Sequence, residues 1–300
     1  MLTDFERTRV RTTDDVTISV AHAGSGPGLL LLHGYPQSGV MWHELAPVLA
    51  QDHHVVVADL RGYGDSSRPA TAPGTDHAEH SFRAMAADQV QVMAALGHQR
   101  FTVVGHDRGA RTAHRMALDH PGAVERIAVL DVLPTRHVLA HVDRTVAQAY
   151  YHWFFLTQPE PLPETLIGAD PLAFLRLTLG GSLAGSATVF APEAMAEYER
   201  CFLLPGAVHS VCEDYRAAAS IDQVHDDADA ARLLTQPLLA LWGTRGLVGR
   251  SDVLEVWRAC AEDVTGASVD AGHFLAEERP AETLALLQEW LASTAAPDGA

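Results

Sequence analysis

Short apolar runs punctuate the first 130 residues. Leu29–Leu32 is apolar throughout and stops at His33-Gly34. Val55–Asp59 is a β-branched run, Phe101–Val104 stops at Gly105, and Ile127–Leu130 stops at Asp131. Short β-branched or leucine-rich runs closed by Gly or Asp predict buried strands. Helical patterns lie between them. Arg83–Leu96 places Met85, Val92 and Leu96 on one stripe and stops at Gly97, while Gly109–Asp119 stops at His120-Pro121. Strand and helix alternating in this way predict βαβ units and a parallel sheet covered on both faces. Leu238–Trp242 and the short stretch Ser268–Val269 resume the pattern late in the chain.

The stretch from about Pro134 to His225 breaks that alternation. It is helical and loop-rich, and carries Pro159-Glu160-Pro161-Leu162-Pro163 and Gly180-Gly181-Ser182. It reads as a helical cap inserted between two strands of one sheet. The expected division is a core over residues 1–134, a cap over 135–225 and a second core part over 226–300. The small, polar tail from Ser293 to Ala300 is expected to be disordered.

Composition narrows the partners. The chain has 300 residues, with 21 Lys+Arg against 38 Asp+Glu and a formal net charge of −17. Phosphate-binding surfaces need excess positive charge, so nucleic acid is excluded as a general partner. No polybasic run offers an anionic membrane a docking point, and no apolar run approaches the length of a span. Cys201, Cys212 and Cys260 are odd in number and lack metal-ligand spacing, which fits free thiols in a cytoplasmic protein. The N-terminus has no apolar stretch of the kind a signal peptide needs.

The chemistry is expected at Gly105-His106-Asp107-Arg108-Gly109, which follows a strand and opens a helix. This is the shape of a nucleophile elbow, with Asp107 at the apex where serine is usual. The bland alternative is a helix N-cap. A carboxylate nucleophile suits attack at alkyl carbon: it leaves an ester that water can open, whereas serine would leave an ether. Hydrolysis of that ester needs a base. His273, in Ala271-Gly272-His273-Phe274 after the last strand, fits the order nucleophile, acid, histidine. The loop after Leu238–Trp242 lacks a carboxylate, so Asp131 is the acid expected to orient His273. The backbone N–H groups of Tyr35 and Arg108 are the expected oxyanion-hole donors. His33 reads as a structural hydrogen-bonder.

These motifs together resemble the α/β-hydrolase superfamily, and within it the fluoroacetate (haloacetate) dehalogenases. The resemblance is carried by His33-Gly34-Tyr35-Pro36-Gln37, by Asp59-Leu60-Arg61-Gly62-Tyr63-Gly64-Asp65-Ser66, and by the run from Gly105 to Arg111 with Arg115–Pro121. Val129-Leu130-Asp131, Tyr151-His152-Trp153, Cys212–Arg216 and Gly272-His273-Phe274 complete it. The first two stretches mark the superfamily; the Asp107-Arg108 pair with Arg111, His152, Trp153 and Tyr215 is more specific. The resemblance implies an α/β-hydrolase fold with a helical cap, and a homodimer. It implies that Arg108 and Arg111, three apart on one helix, bind the carboxylate of a small 2-halo acid. It also implies that His152, Trp153 and Tyr215 receive the halide, and that no metal or organic cofactor is required. Relatives acting on neutral substrates typically carry Trp where Arg108 stands. Two alternatives are kept. One is an epoxide hydrolase using a tyrosine pair drawn from Tyr150, Tyr151, Tyr198 and Tyr215. The other is a non-catalytic binding member of the fold. Thr178–Ser186 has no aromatic residue, which suggests room for larger 2-halo acids.

Overall fold

The computed structural model describes residues 1–71, 74–180 and 189–293. Most of Thr178–Ser186 and nearly all of the tail lie outside those residues. The described chain builds one eight-stranded sheet in the order β1-β2-β4-β3-β5-β6-β7-β8. Its strands are β1 (Glu6–Arg11), β2 (Thr17–Ala23), β3 (Gly28–Leu32), β4 (His54–Ala58), β5 (Phe101–His106), β6 (Val124–Leu130), β7 (Leu238–Gly243) and β8 (Val264–Val269). Strands β3 to β8 run parallel, while β2 is antiparallel to both β1 and β4. Every residue of β3 and β5 is buried, which is why these strands read as unbroken apolar runs.

The predicted core strands and both predicted helices are present. The helices are α1 (Phe82–Ala95), capped by the Ser81 hydroxyl, and α2 (Arg108–Asp119). The hairpin β1–β2 was not foreseen. β1 reads ERTRVR, has no fully buried residue and forms the sheet edge, so it carries no apolar run. β8 is longer than the sequence suggested. Gly266 interrupts its apolar pattern, and a Cβ there would lie 2.3 Å from the Ala240 carbonyl oxygen on β7.

Between β6 and β7 the described residues hold helices and loops and no strand. They include α3 (Tyr151–Leu156), α4 (Pro192–Phe202) and α5 (Ala207–Ala219). This segment lies over the C-terminal ends of β3, β5 and β6, where a parallel sheet places its ligands.

One buried cluster ties the helical segment to the sheet. Glu277 Oε1, on α6 (Leu275–Glu278), accepts from Gln37 Nε2 at 2.7 Å and from the Tyr198 hydroxyl of α4. Glu277 Oε2 is buried without a partner. Burial pushes the Glu277 carboxyl from its ordinary 4.5 up to about 8, despite the two donors. The unfolded chain therefore loses this proton before the native one does, and native stability falls as pH rises from about 4.5 to about 8. A Glu277→Gln variant keeps the acceptor and removes the charge. Its thermal midpoint is expected to exceed wild type by a margin that grows across that window and then levels. A constant margin from pH 4 to 9 would contradict this.

Candidate active site

Asp107 sits between β5 and α2 with φ 47 and ψ −113, the strained corner of an elbow. The two glycines of the motif are fixed by close backbone approach. A Cβ on Gly105 would lie 2.4 Å from the Gly109 carbonyl oxygen, and one on Gly109 would lie 2.5 Å from those of His33 and Leu32. The elbow holds the Asp107 carboxylate against two neighbours. The Tyr35 N–H donates to Oδ1 at 2.9 Å. His273 Nε2 lies 3.9 Å from Oδ2. The other expected oxyanion donor, the Arg108 N–H, makes no hydrogen bond to this carboxylate among the described residues.

His273 faces the acid expected for it. Its Nδ1 is 2.7 Å from Asp131 Oδ2, at the end of β6. Asp131 Oδ1 accepts the Gly243 N–H at 2.9 Å. The last residue of β7 thus supplies a donor for the acid, where the loop after it has no carboxylate. The His273 carbonyl is held in turn by His106 Nε2 at 2.9 Å. His33 spans its loop, with Nδ1 3.0 Å from the Gly34 carbonyl and Nε2 accepting the Leu60 N–H at 3.1 Å.

The electrostatics separate the two acid–base partners. Burial works against the Asp107 charge, but His273, Arg111, His106 and Arg108 outweigh it and hold its pKa at about 2. Burial lowers the His273 pKa, yet Asp131 and Asp107 overcome that and raise it above 6.5. Burial keeps His152 neutral, at about 4.

A cavity of about 270 Å³ opens onto Asp107, Asp131 and His273. Its wall includes His152, Trp153 and Tyr215, together with Tyr35 and Tyr150. The His152 ring stacks on Tyr35 at 5.7 Å and meets Tyr215 edge-on at 5.8 Å. Among the described residues, none of the His152 ring nitrogens, the Trp153 indole N–H or the Tyr215 hydroxyl has a hydrogen-bond partner.

The two arginines do not border this cavity, nor do they act side by side as their spacing suggested. Both are buried, and each lies behind an aromatic ring of the wall. The Arg108 guanidinium carbon is 4.3 Å from the centroid of Tyr215, and that of Arg111 is 4.6 Å from the centroid of Trp153. Arg111 Nη1 donates to the Leu133 carbonyl at 2.9 Å and to Thr135 Oγ1 at 2.7 Å. Arg108 Nε donates to Asp214 Oδ2 at 2.8 Å. Each keeps one buried nitrogen without a partner among the described residues: Nη1 of Arg108 and Nε of Arg111. Sequence reading gave Asp214 no part, although it lies in the Cys212–Arg216 stretch. An acid next to Tyr215 carries no local sign of a partner 106 positions away.

A family model described as the alpha/beta hydrolase fold matches residues 27–280. A fluoroacetate dehalogenase of Burkholderia sp. is 48% identical over 97% of this chain and 95% of its own. This chain belongs to the α/β-hydrolase family, in its fluoroacetate-dehalogenase-like branch. It is also 37% identical to a soluble epoxide hydrolase of Corynebacterium sp. (strain C12), over 86% of this chain and 87% of that one. A candidate α/β hydrolase of Nostoc sp PCC 7120 superposes with a TM-score of 0.94 at 53% identity, covering 97% of this chain and 99% of that chain. No helix among the described residues is long and apolar enough to cross a membrane.

Proposed function

We propose that this hydrolase removes halide from small 2-halo carboxylic acids through an ester on Asp107. The observation that carries the reading is the pair of buried guanidinium groups beside the nucleophile, each with one unpartnered nitrogen. Buried donors without partners are rare, and a carboxylate would satisfy both. A neutral epoxide would leave them empty.

In the proposed cycle, the Tyr215 and Trp153 rings shift on binding and let the carboxylate of the acid reach Arg108 Nη1 and Arg111 Nε, which hold it. Asp107 Oδ2 attacks the α-carbon while Oδ1 stays on the Tyr35 N–H. The carbon–halogen bond breaks with its electron pair on the halide, and the Trp153 and Tyr215 donors with His152 receive it. His273, neutral and oriented by Asp131, then takes a proton from water as it adds to the ester carbonyl. Collapse expels the alkoxide, which takes the His273 proton to become the 2-hydroxy acid, and the regenerated Asp107 carboxyl loses its proton to solvent. The helical segment 135–225 serves as the cap that closes this site.

Halide and glycolate release from fluoro-, chloro- and bromoacetate tests the reading. Wild-type protein should release both. A second reading, epoxide hydrolysis, rests on Tyr150, Tyr151 and Tyr215 in the cavity wall. Opening of a small epoxide without release from any haloacetate would put it in first place.

The base also sets a pH limb. His273 must be neutral to act, and Asp131 raises its pKa above 6.5. His273 is needed only after the halide has left, so the limb belongs to ester hydrolysis: decay of the ester should slow as pH falls through the His273 pKa, while halide release in the first turnover should not follow it. The same acid limb in first-turnover halide release would place His273 ahead of the carbon–halogen step.

A further inference from the structure

Asp214 has no role in the cycle above, yet it is fully buried next to it. It sits on α5, immediately before Tyr215. Arg108 reaches it with Nε to Oδ2 at 2.8 Å, with Nη2 to its backbone carbonyl at 2.8 Å, and with Nη2 to Oδ1. The Tyr63 hydroxyl donates to the same Oδ2. The guanidinium is sandwiched as well, with its carbon 4.6 Å from the Phe82 centroid and 4.3 Å from that of Tyr215.

We propose that Asp214 is the positioning residue of the carboxylate site, fixing the Arg108 guanidinium so that Nη1 alone is left for the bound acid. The proposal rests on the haloacid reading. A free arginine carries large rotamer entropy, and a planar fork clamped on one edge loses little more on binding a ligand at the other. Nε and Nη2 form the clamped edge, and the unpartnered Nη1 is the remaining one. Asp214 also offsets the Arg108 charge, as Asp107 faces that of Arg111, so the arginines offer directed N–H donors to the substrate rather than a surplus of positive charge. Tyr63 supports the clamp from the sheet side, through the loop after β4.

A merely structural ion pair would look similar, so the readout must separate carboxylate binding from the rest of the site. Glycolate titration reports the arginines, and iodide quenching of tryptophan fluorescence reports the Trp153 side. Asp214→Asn should weaken glycolate by about tenfold or more, and Tyr63→Phe by about threefold, the range expected for hydrogen bonds to charged groups. Iodide affinity should stay within about twofold of wild type, because its donors are untouched. KM for chloroacetate should rise in step with the glycolate constant, and kcat should change by less than about threefold. Glycolate and iodide weakening together would mean general damage and would overturn the proposal. Unchanged or tighter glycolate binding would also overturn it. Breaking a buried pair can prevent folding, and in that case Tyr63→Phe decides alone. Failure of the wild type to release halide would sink the haloacid reading, while the glycolate titration would still judge Asp214.

Discussion

Asp107→Asn is expected to lower halide release from chloroacetate by at least about a thousandfold, with the protein still folded. The substitution is close to isosteric, and Asn tolerates the positive φ of 47 that the elbow imposes. Its side-chain oxygen can keep the Tyr35 N–H bond that Asp107 Oδ1 makes at 2.9 Å. What disappears is the anionic oxygen facing the cavity. His273, Arg111, His106 and Arg108 hold the Asp107 pKa at about 2, so its carboxylate is ionised at any working pH. They also weaken it, because a carboxylate of low pKa is a poorer nucleophile. In the proposed cycle the rate therefore comes from position and from stabilising the departing halide, rather than from a strongly basic nucleophile. An amide in the same place keeps the position and has no charge to donate. Glycolate should still bind the variant within a fewfold of wild type, because the arginines are unchanged. Halide release above about a tenth of wild type would mean that Asp107 does not form the ester.

How much of this was legible beforehand depended on whether a signal was local. The β5–α2 corner was readable because strand, glycine, acid, glycine and helix lie within a dozen residues. The fully buried central strands were readable from their unbroken apolar runs. β1 was not, because an exposed edge strand has no inner face to keep apolar. The pairing of Asp131 with His273 was readable because chain order and strand ends place both residues at one rim. Their coupling at 2.7 Å is the outcome that order implied. The arginine pair was legible only in part. Spacing put Arg108 and Arg111 on one helical face, and they do share a neighbourhood with Asp107. Spacing cannot tell where two long side chains end, and theirs end on different partners: Asp214 for one, Leu133 and Thr135 for the other. The total charge of −17 hides this site as well, because a sum over the whole chain says nothing of where two of its arginines lie.

His273→Asn should separate the two halves of the reaction. The amide N–H can still satisfy Asp131 Oδ2, which otherwise loses the donor it holds at 2.7 Å. Asp131 Oδ1 keeps the Gly243 N–H in either case. The first half needs no base, because the nucleophile is already a carboxylate. Halide should therefore appear in a burst approaching one per active site. The second half needs a base to deprotonate water, and its loss should slow turnover by about a hundredfold to ten-thousandfold. The ester should accumulate and be visible as a mass increase on the peptide containing Asp107. The burst rate carries a second test. His273 is the largest favourable influence on the Asp107 charge, and its removal should raise the Asp107 pKa toward the ordinary range. Asp107 is ionised at pH 8 in either protein, so the burst should be no slower than wild-type halide release there. A variant that shows no burst and no adduct would place His273 ahead of the carbon–halogen step, and the division of labour between Asp107 and His273 would have to be redrawn.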